Sequence, residues 1–127
     1  MKREVGLWID HRKTVIVMVS GETEEIEQIE SNMEPHVRYS GRAMEFSAED
    51  QRDRQFSEHL RKYYDEVISR VRGAESILIL GPGEAKGELA KRLQSQGLGE
   101  HIAGVETVDK MTDRQIAARV RQHFAQQ

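Results

Sequence analysis

The stretch Ser76-Ile77-Leu78-Ile79-Leu80-Gly81-Pro82-Gly83-Glu84-Ala85-Lys86-Gly87-Glu88-Leu89 decides the fold. Five residues of near-continuous apolar character suit a strand buried on both faces, which is the parallel-sheet pattern. Gly81-Pro82-Gly83 breaks the strand, and a helix follows over about 84–96, with Leu89 and Leu93 inward. Gly97 and Gly99 stop that helix. Ile102 to Val108 then reads as another strand. A strand, a helix and a second strand in this order imply a right-handed crossover and a parallel pair.

Downstream, Thr112 is a candidate N-cap with Gln115 three residues later, the capping-box spacing. The helix it opens carries Ile116, Val120 and Phe124 on one face. Upstream, residues 51–72 form a long helix in which Phe56, Leu60, Tyr63, Tyr64, Val67, Ile68 and Val71 recur at spacings of three and four. Gly73 ends it. Residues 32–50 show no clear period and read as a long loop containing Pro35 and Gly41.

The N-terminal third is different. Val5 to Ile9 and Thr14 to Val19 are apolar and β-branched, with a tight turn at Asp10-His11-Arg12-Lys13. Ser20-Gly21-Glu22 marks a second turn, and Glu24 to Glu30 reads as a third strand, although Ile26 and Ile29 are only roughly in phase. The order is β-β-β-α-β-α-β-α, an antiparallel meander joined to a parallel half. That is an α/β, ribonuclease H-like layout with a mixed five-stranded sheet, in a single domain spanning residues 1–127.

Composition narrows the function. The formal net charge is −3 and the pI about 6.0, so nucleic-acid contact needs a local basic patch. There is no cysteine, which excludes a disulfide framework and thiolate chemistry. The N-terminal apolar stretch is too short for a signal peptide, and no run suits a membrane helix. The expected location is the cytoplasm. The five histidines lack metal-ligand spacing, and no cofactor is expected.

Four segments in order resemble the middle domain of archaeal and eukaryotic class-1 peptide-chain release factors and of the ribosome-rescue factor Pelota. They are the opening hairpin from Val5 to Val19, the long helix rich in Arg and Tyr, the Ser76–Leu89 strand, turn and helix start, and Val105-Glu106-Thr107-Val108-Asp109 running into the last helix. The chain is also similar to small bacterial proteins described as translational-machinery-like. The resemblance implies a ribonuclease H-like fold and association with the ribosome. Release factors carry Gly-Gly-Gln in the loop before the long helix, where the glycines let the backbone reach the ester and the Gln helps place water. Here the loop reads Pro35-His36-Val37-Arg38-Tyr39-Ser40-Gly41-Arg42-Ala43-Met44-Glu45, without that motif. Peptidyl-tRNA hydrolysis by the family mechanism is therefore not expected.

Three candidate sites follow. In the 36–42 loop, His36, Arg38 and Arg42 can contact phosphates, and Tyr39 can stack on a base. Arg54 extends that surface onto the helix, where 51–72 holds six cations against four carboxylates. The alternative is a solvated loop whose cations balance nearby carboxylates. In the second site, Gly81, Gly83 and Lys86 can hold an anion at a strand-to-helix turn, although the Walker A spacing is absent. Alternatively, these glycines serve only a tight turn and close packing. In the third, Asp10, Glu84 and Asp109 follow strand ends and can bind metal as in a ribonuclease H-like nuclease. Alternatively, Asp10 simply opens a turn.

The leading expectation is a non-catalytic, translation-associated module that binds the ribosome or ribosomal RNA, with stalling or stress as the expected occasion. The nuclease and a self-assembling interaction domain are the alternatives. The wide Phe56–Tyr64 stripe suggests a homo-oligomer.

Overall fold

The computed structural model describes residues 3–21, 23–31 and 46–125, with the backbone alone for 46–56. Its elements are β1 (Glu4–Ile9), β2 (Lys13–Ser20), β3 (Thr23–Glu30), α1 (Phe46–Val71), β4 (Ser76–Gly81), α2 (Ala85–Ser95), a single 3-10 turn at Gly99–His101, β5 (Ile102–Thr107) and α3 (Asp113–Ala125). The sheet runs β3-β2-β1-β4-β5. β2 is antiparallel to both its neighbours, whereas β1, β4 and β5 are parallel. This is the α/β, ribonuclease H-like arrangement expected from the sequence.

Apolar alternation assigns each helix to a face. Val5, Leu7 and Ile9 of β1 join Ile77 and Ile79 of β4 beneath α1 and α2. Trp8, Val15, Val17, Leu78 and Leu80 pack on the opposite face against Ile116, Val120 and Phe124 of α3. Each fully buried branched aliphatic side chain stabilises the fold by roughly 1.5–3 kcal/mol relative to exposure. Gly6 is what admits α3: a Cβ there would lie 2.2 Å from Val120 Cγ2. Gly81 similarly lets β4 approach β1, because a Cβ there would lie 2.4 Å from the Ile9 carbonyl oxygen.

The element ends follow local chemistry. Asp10 Oδ1 accepts from the backbone N–H of Arg12 at 2.8 Å and of Lys13 at 2.9 Å, closing the first hairpin. Gly21 adopts φ 61 at the second turn. Thr112 and Gln115 form a reciprocal capping box, at 2.9 and 3.1 Å. At the end of α2, Leu98 N–H donates to Leu93 O and Gly97 N–H to Gln94 O, a Schellman motif with Gly97 at φ 80.

One expectation is corrected, and the ground given for another is not found among the described residues. α1 begins at Phe46 rather than at residue 51. Phe46–Asp50 contains one large apolar residue, too few to reveal a period, but also no proline or glycine to stop a helix. Secondly, Leu60, Tyr63, Tyr64, Val67, Ile68 and Val71 are all buried within the chain's own core. The described part of the α1 stripe is thus covered by the sheet and gives no ground for a homo-oligomer. The imperfect phase of β3 also has a physical reason: Ile29 is only 4% exposed under α1, whereas Ile26 points to the other face and is 44% exposed.

Candidate functional site

The parallel strands β1, β4 and β5 end at the same edge of the sheet, so Asp10, Gly81–Glu84 and Asp109 emerge from neighbouring strand ends. This is the edge at which open α/β sheets carry their sites. The structure places a hydrogen-bonded network there, which Asp10, of the described sequence candidates, joins through its carbonyl.

The network begins at two buried tyrosines one residue apart on α1. Tyr63 OH donates to the Asp10 carbonyl at 3.0 Å and lies 2.7 Å from Thr14 Oγ1. A phenol has one proton, so the Thr14 hydroxyl is the donor in the second bond. Tyr64 OH donates to Glu88 Oε1 at 2.5 Å, and the same oxygen lies 3.1 Å from His11 Nε2. Ser31, just beyond β3, donates its hydroxyl to the His11 carbonyl at 2.8 Å and its N–H to the Arg12 carbonyl at 2.9 Å. His59 Nε2 is 2.5 Å from the Ser31 carbonyl, which can only accept, so that nitrogen carries the proton. One network therefore joins the β1–β2 turn, the end of β3, α1 and α2.

Its electrostatics favour neutral phenols. Burial raises the Tyr64 hydroxyl well above its ordinary 10.0, and its bond to Glu88 and that carboxylate's charge push further in the same direction. Burial also raises Tyr63, an effect opposed by the Thr14 hydrogen bond and reinforced by the Asp10 charge. Both groups act as donors at neutral pH and not as bases.

The sequence candidates fall as follows. His36, Arg38, Tyr39 and Arg42 lie outside the described residues, in the segment joining Ser31 to α1. Arg54 is on α1, with its side chain also outside the description. Farther along, Arg70 in the last turn of α1 is bound to Glu27 at 2.5 Å and Glu66 at 3.6 Å, and Arg72, just past its end, to Gln96 at 2.8 Å. Those two cations are committed to internal partners, while Arg61 and Lys62 remain exposed.

At the glycine turn, Gly81 is needed for the approach of β1, but a Cβ at Gly83 would meet nothing within 4 Å. Lys86 Nζ folds back to donate to the Gly83 carbonyl at 2.5 Å. Asp10 closes its own turn, Glu84 caps α2 without a side-chain hydrogen bond, and the Asp109 carbonyl accepts from Trp8 Nε1 at 3.2 Å. Among the described residues, no group of three or more His, Asp or Glu side chains could hold a metal ion, and that includes these three carboxylates.

Sequence reasoning placed the tyrosine pair in the core but missed its polar role. Paired polar atoms on residues 24, 49 and 77 apart leave no local signal.

No family model matches the chain, and no curated protein does. Solved structures do. Pelota from Archaeoglobus fulgidus superposes with a TM-score of 0.61 and 13% identity, over 95% of this chain and 31% of that one. Pelota from Thermoplasma acidophilum gives 0.58 and 14%, over 99% and 32%. The archaeal translation termination factor aRF1 gives 0.55 and 13%, over 98% and 39%. The chain thus spans about a third of the length of the solved chains it matches. No helix among the described residues is long and apolar enough to cross a membrane. In fold, the chain resembles one segment of Pelota and of aRF1, with its mixed five-stranded sheet in the ribonuclease H-like order.

Proposed function

We propose that this chain is a non-catalytic, translation-related module that binds the ribosome or ribosomal RNA. The observation that carries the reading is the superposition of nearly the whole chain on one segment of Pelota and of aRF1. A shared fold does not fix a function, so the surface has to be argued from residues.

The proposed surface is the segment holding His36, Arg38, Tyr39 and Arg42, continued by Arg54 on α1. Its support comes from what flanks it. Ser31 at one end is held by hydrogen bonds to His11, Arg12 and His59, and at the other end the chain enters α1 at Phe46. A cationic segment joined to the fold at both ends loses less conformational entropy on binding phosphate than a free tail does. The chain's overall charge is negative, so specificity for phosphate has to come from this local group. The segment lacks Gly-Gly-Gln, which is why the proposed role is binding and not ester hydrolysis. Gly81, Gly83 and Lys86 are a subsidiary phosphate contact in this scheme, and Lys86 has to leave the Gly83 carbonyl to serve it.

The test is co-sedimentation of the Arg38→Glu/Arg42→Glu/Arg54→Glu variant with ribosomes at low salt. Binding is expected to be abolished while the circular dichroism spectrum is kept. Unchanged sedimentation removes this surface from the account.

A further inference from the structure

The sheet has two edges, β3 and β5, and they are built differently. β3 carries Glu24, Glu25, Glu27 and Glu30, so a like strand laid against it sets carboxylates against carboxylates. That is a common protection of a free edge. β5 has no such guard. It reads Ile-Ala-Gly-Val-Glu-Thr, and its charged residue, Glu106, is ion-paired with Arg119 of the chain's own α3. Val105, at the middle of this edge, is 43% exposed on the α2 side of the sheet.

Beside Val105 lies an open depression of about 450 Å³ whose other wall is α2, including Gly87 and Lys91, with its N-cap Glu84. Gly87 lies within α2, where glycine weakens a helix. A Cβ there would meet nothing within 4 Å, so the chain's own packing does not require a glycine at this position. The position is open to a backbone approaching from outside. Glu84 and Lys91 stand three residues before and four after Gly87, about 10 Å apart along the helix.

This pattern is self-complementary about a two-fold axis. We propose that β5 and the exposed face of α2 form the interface of a homodimer. The two β5 strands pair antiparallel about Val105, extending the sheet, and the two α2 helices meet at Gly87. Glu84 of each protomer then faces the partner's Lys91. Glu106 stands opposite the partner's Gly104 and not opposite another carboxylate, so the pairing meets no like charge across the strands.

The test is sedimentation velocity of the full chain over a concentration series. The wild type is expected to show a reversible monomer–dimer equilibrium. Lys91→Glu places two carboxylates together at each end of the interface and should raise the dimer dissociation constant roughly tenfold. Glu84→Lys/Lys91→Glu should restore it, and Val105→Lys should leave only monomer. A wild type that stays monomeric at its highest attainable concentration overturns the proposal. So does a dimer that Lys91→Glu and Val105→Lys leave unchanged, or a loss in Lys91→Glu that the charge swap does not repair. None of these outcomes depends on ribosome binding.

Discussion

The Tyr64 hydroxyl donates to Glu88 Oε1 across 2.5 Å, fastening the 26-residue α1 to α2 at the sheet edge where β1 and β4 end. Tyr64 is buried while Glu88 is partly exposed, so the bond carries a carboxylate's charge to the margin of the core. A hydrogen bond to a charged partner is worth about 1.5–3 kcal/mol. Tyr64→Phe should therefore lower unfolding free energy by about that amount in urea denaturation, with the circular dichroism spectrum preserved.

The same tyrosines set an alkaline limit. Their folded-state pKa values are raised, so the stability they contribute is fully present below the ordinary value of 10.0 and is lost as pH rises through the folded values. The urea midpoint of the wild type should fall as pH increases above about 10. Tyr64→Phe should show a shallower fall, since one of the two ionisations is gone. Equal slopes in both proteins would contradict this assignment.

Asp65 works in the opposite direction. Its bond to Arg92, at 2.7 Å, holds it below the ordinary carboxylate range despite some opposing desolvation. Its contribution is present above the unfolded pKa of about 3.9 and is lost as pH falls through the folded value. Both side chains are substantially exposed, so Asp65→Asn should cost only about 0.2–1 kcal/mol at neutral pH. The difference from wild type should vanish in acid.

The two steric glycines separate by what they meet. Gly6→Ala drives a methyl into the Val120 side chain and should destabilise by about 1–3 kcal/mol, with Val120→Ala restoring part of the loss. Gly81→Ala meets the Ile9 backbone carbonyl, which no side-chain substitution can move. Its loss should be larger and resistant to suppressors at Val120 or Lys86. Thermal melts of the single and double variants check both.

These particulars show what the residue pattern can reveal. The apolar run at Ser76–Leu80, the Asp10 turn and the Thr112–Gln115 cap are local, with partners within a few residues, and each was readable from spacing alone. The start of α1 was not, because Phe46–Asp50 lacks apolar repeats. The polar network was not either. Thr14 and Tyr63, or His11 and Glu88, are brought together only by the packing of α1 and α2 on the sheet. The carboxylates at 10, 84 and 109 illustrate the converse: topology sets them along one edge, but that does not make them a metal set.

The most direct test of the central claim is sedimentation of the purified wild-type chain with ribosomes through a sucrose cushion at low and at moderate salt. Binding that weakens steeply with salt is predicted, because phosphate contacts release counterions. Absence of the chain from the ribosomal pellet at both salt concentrations would contradict the translation reading while leaving the fold as described.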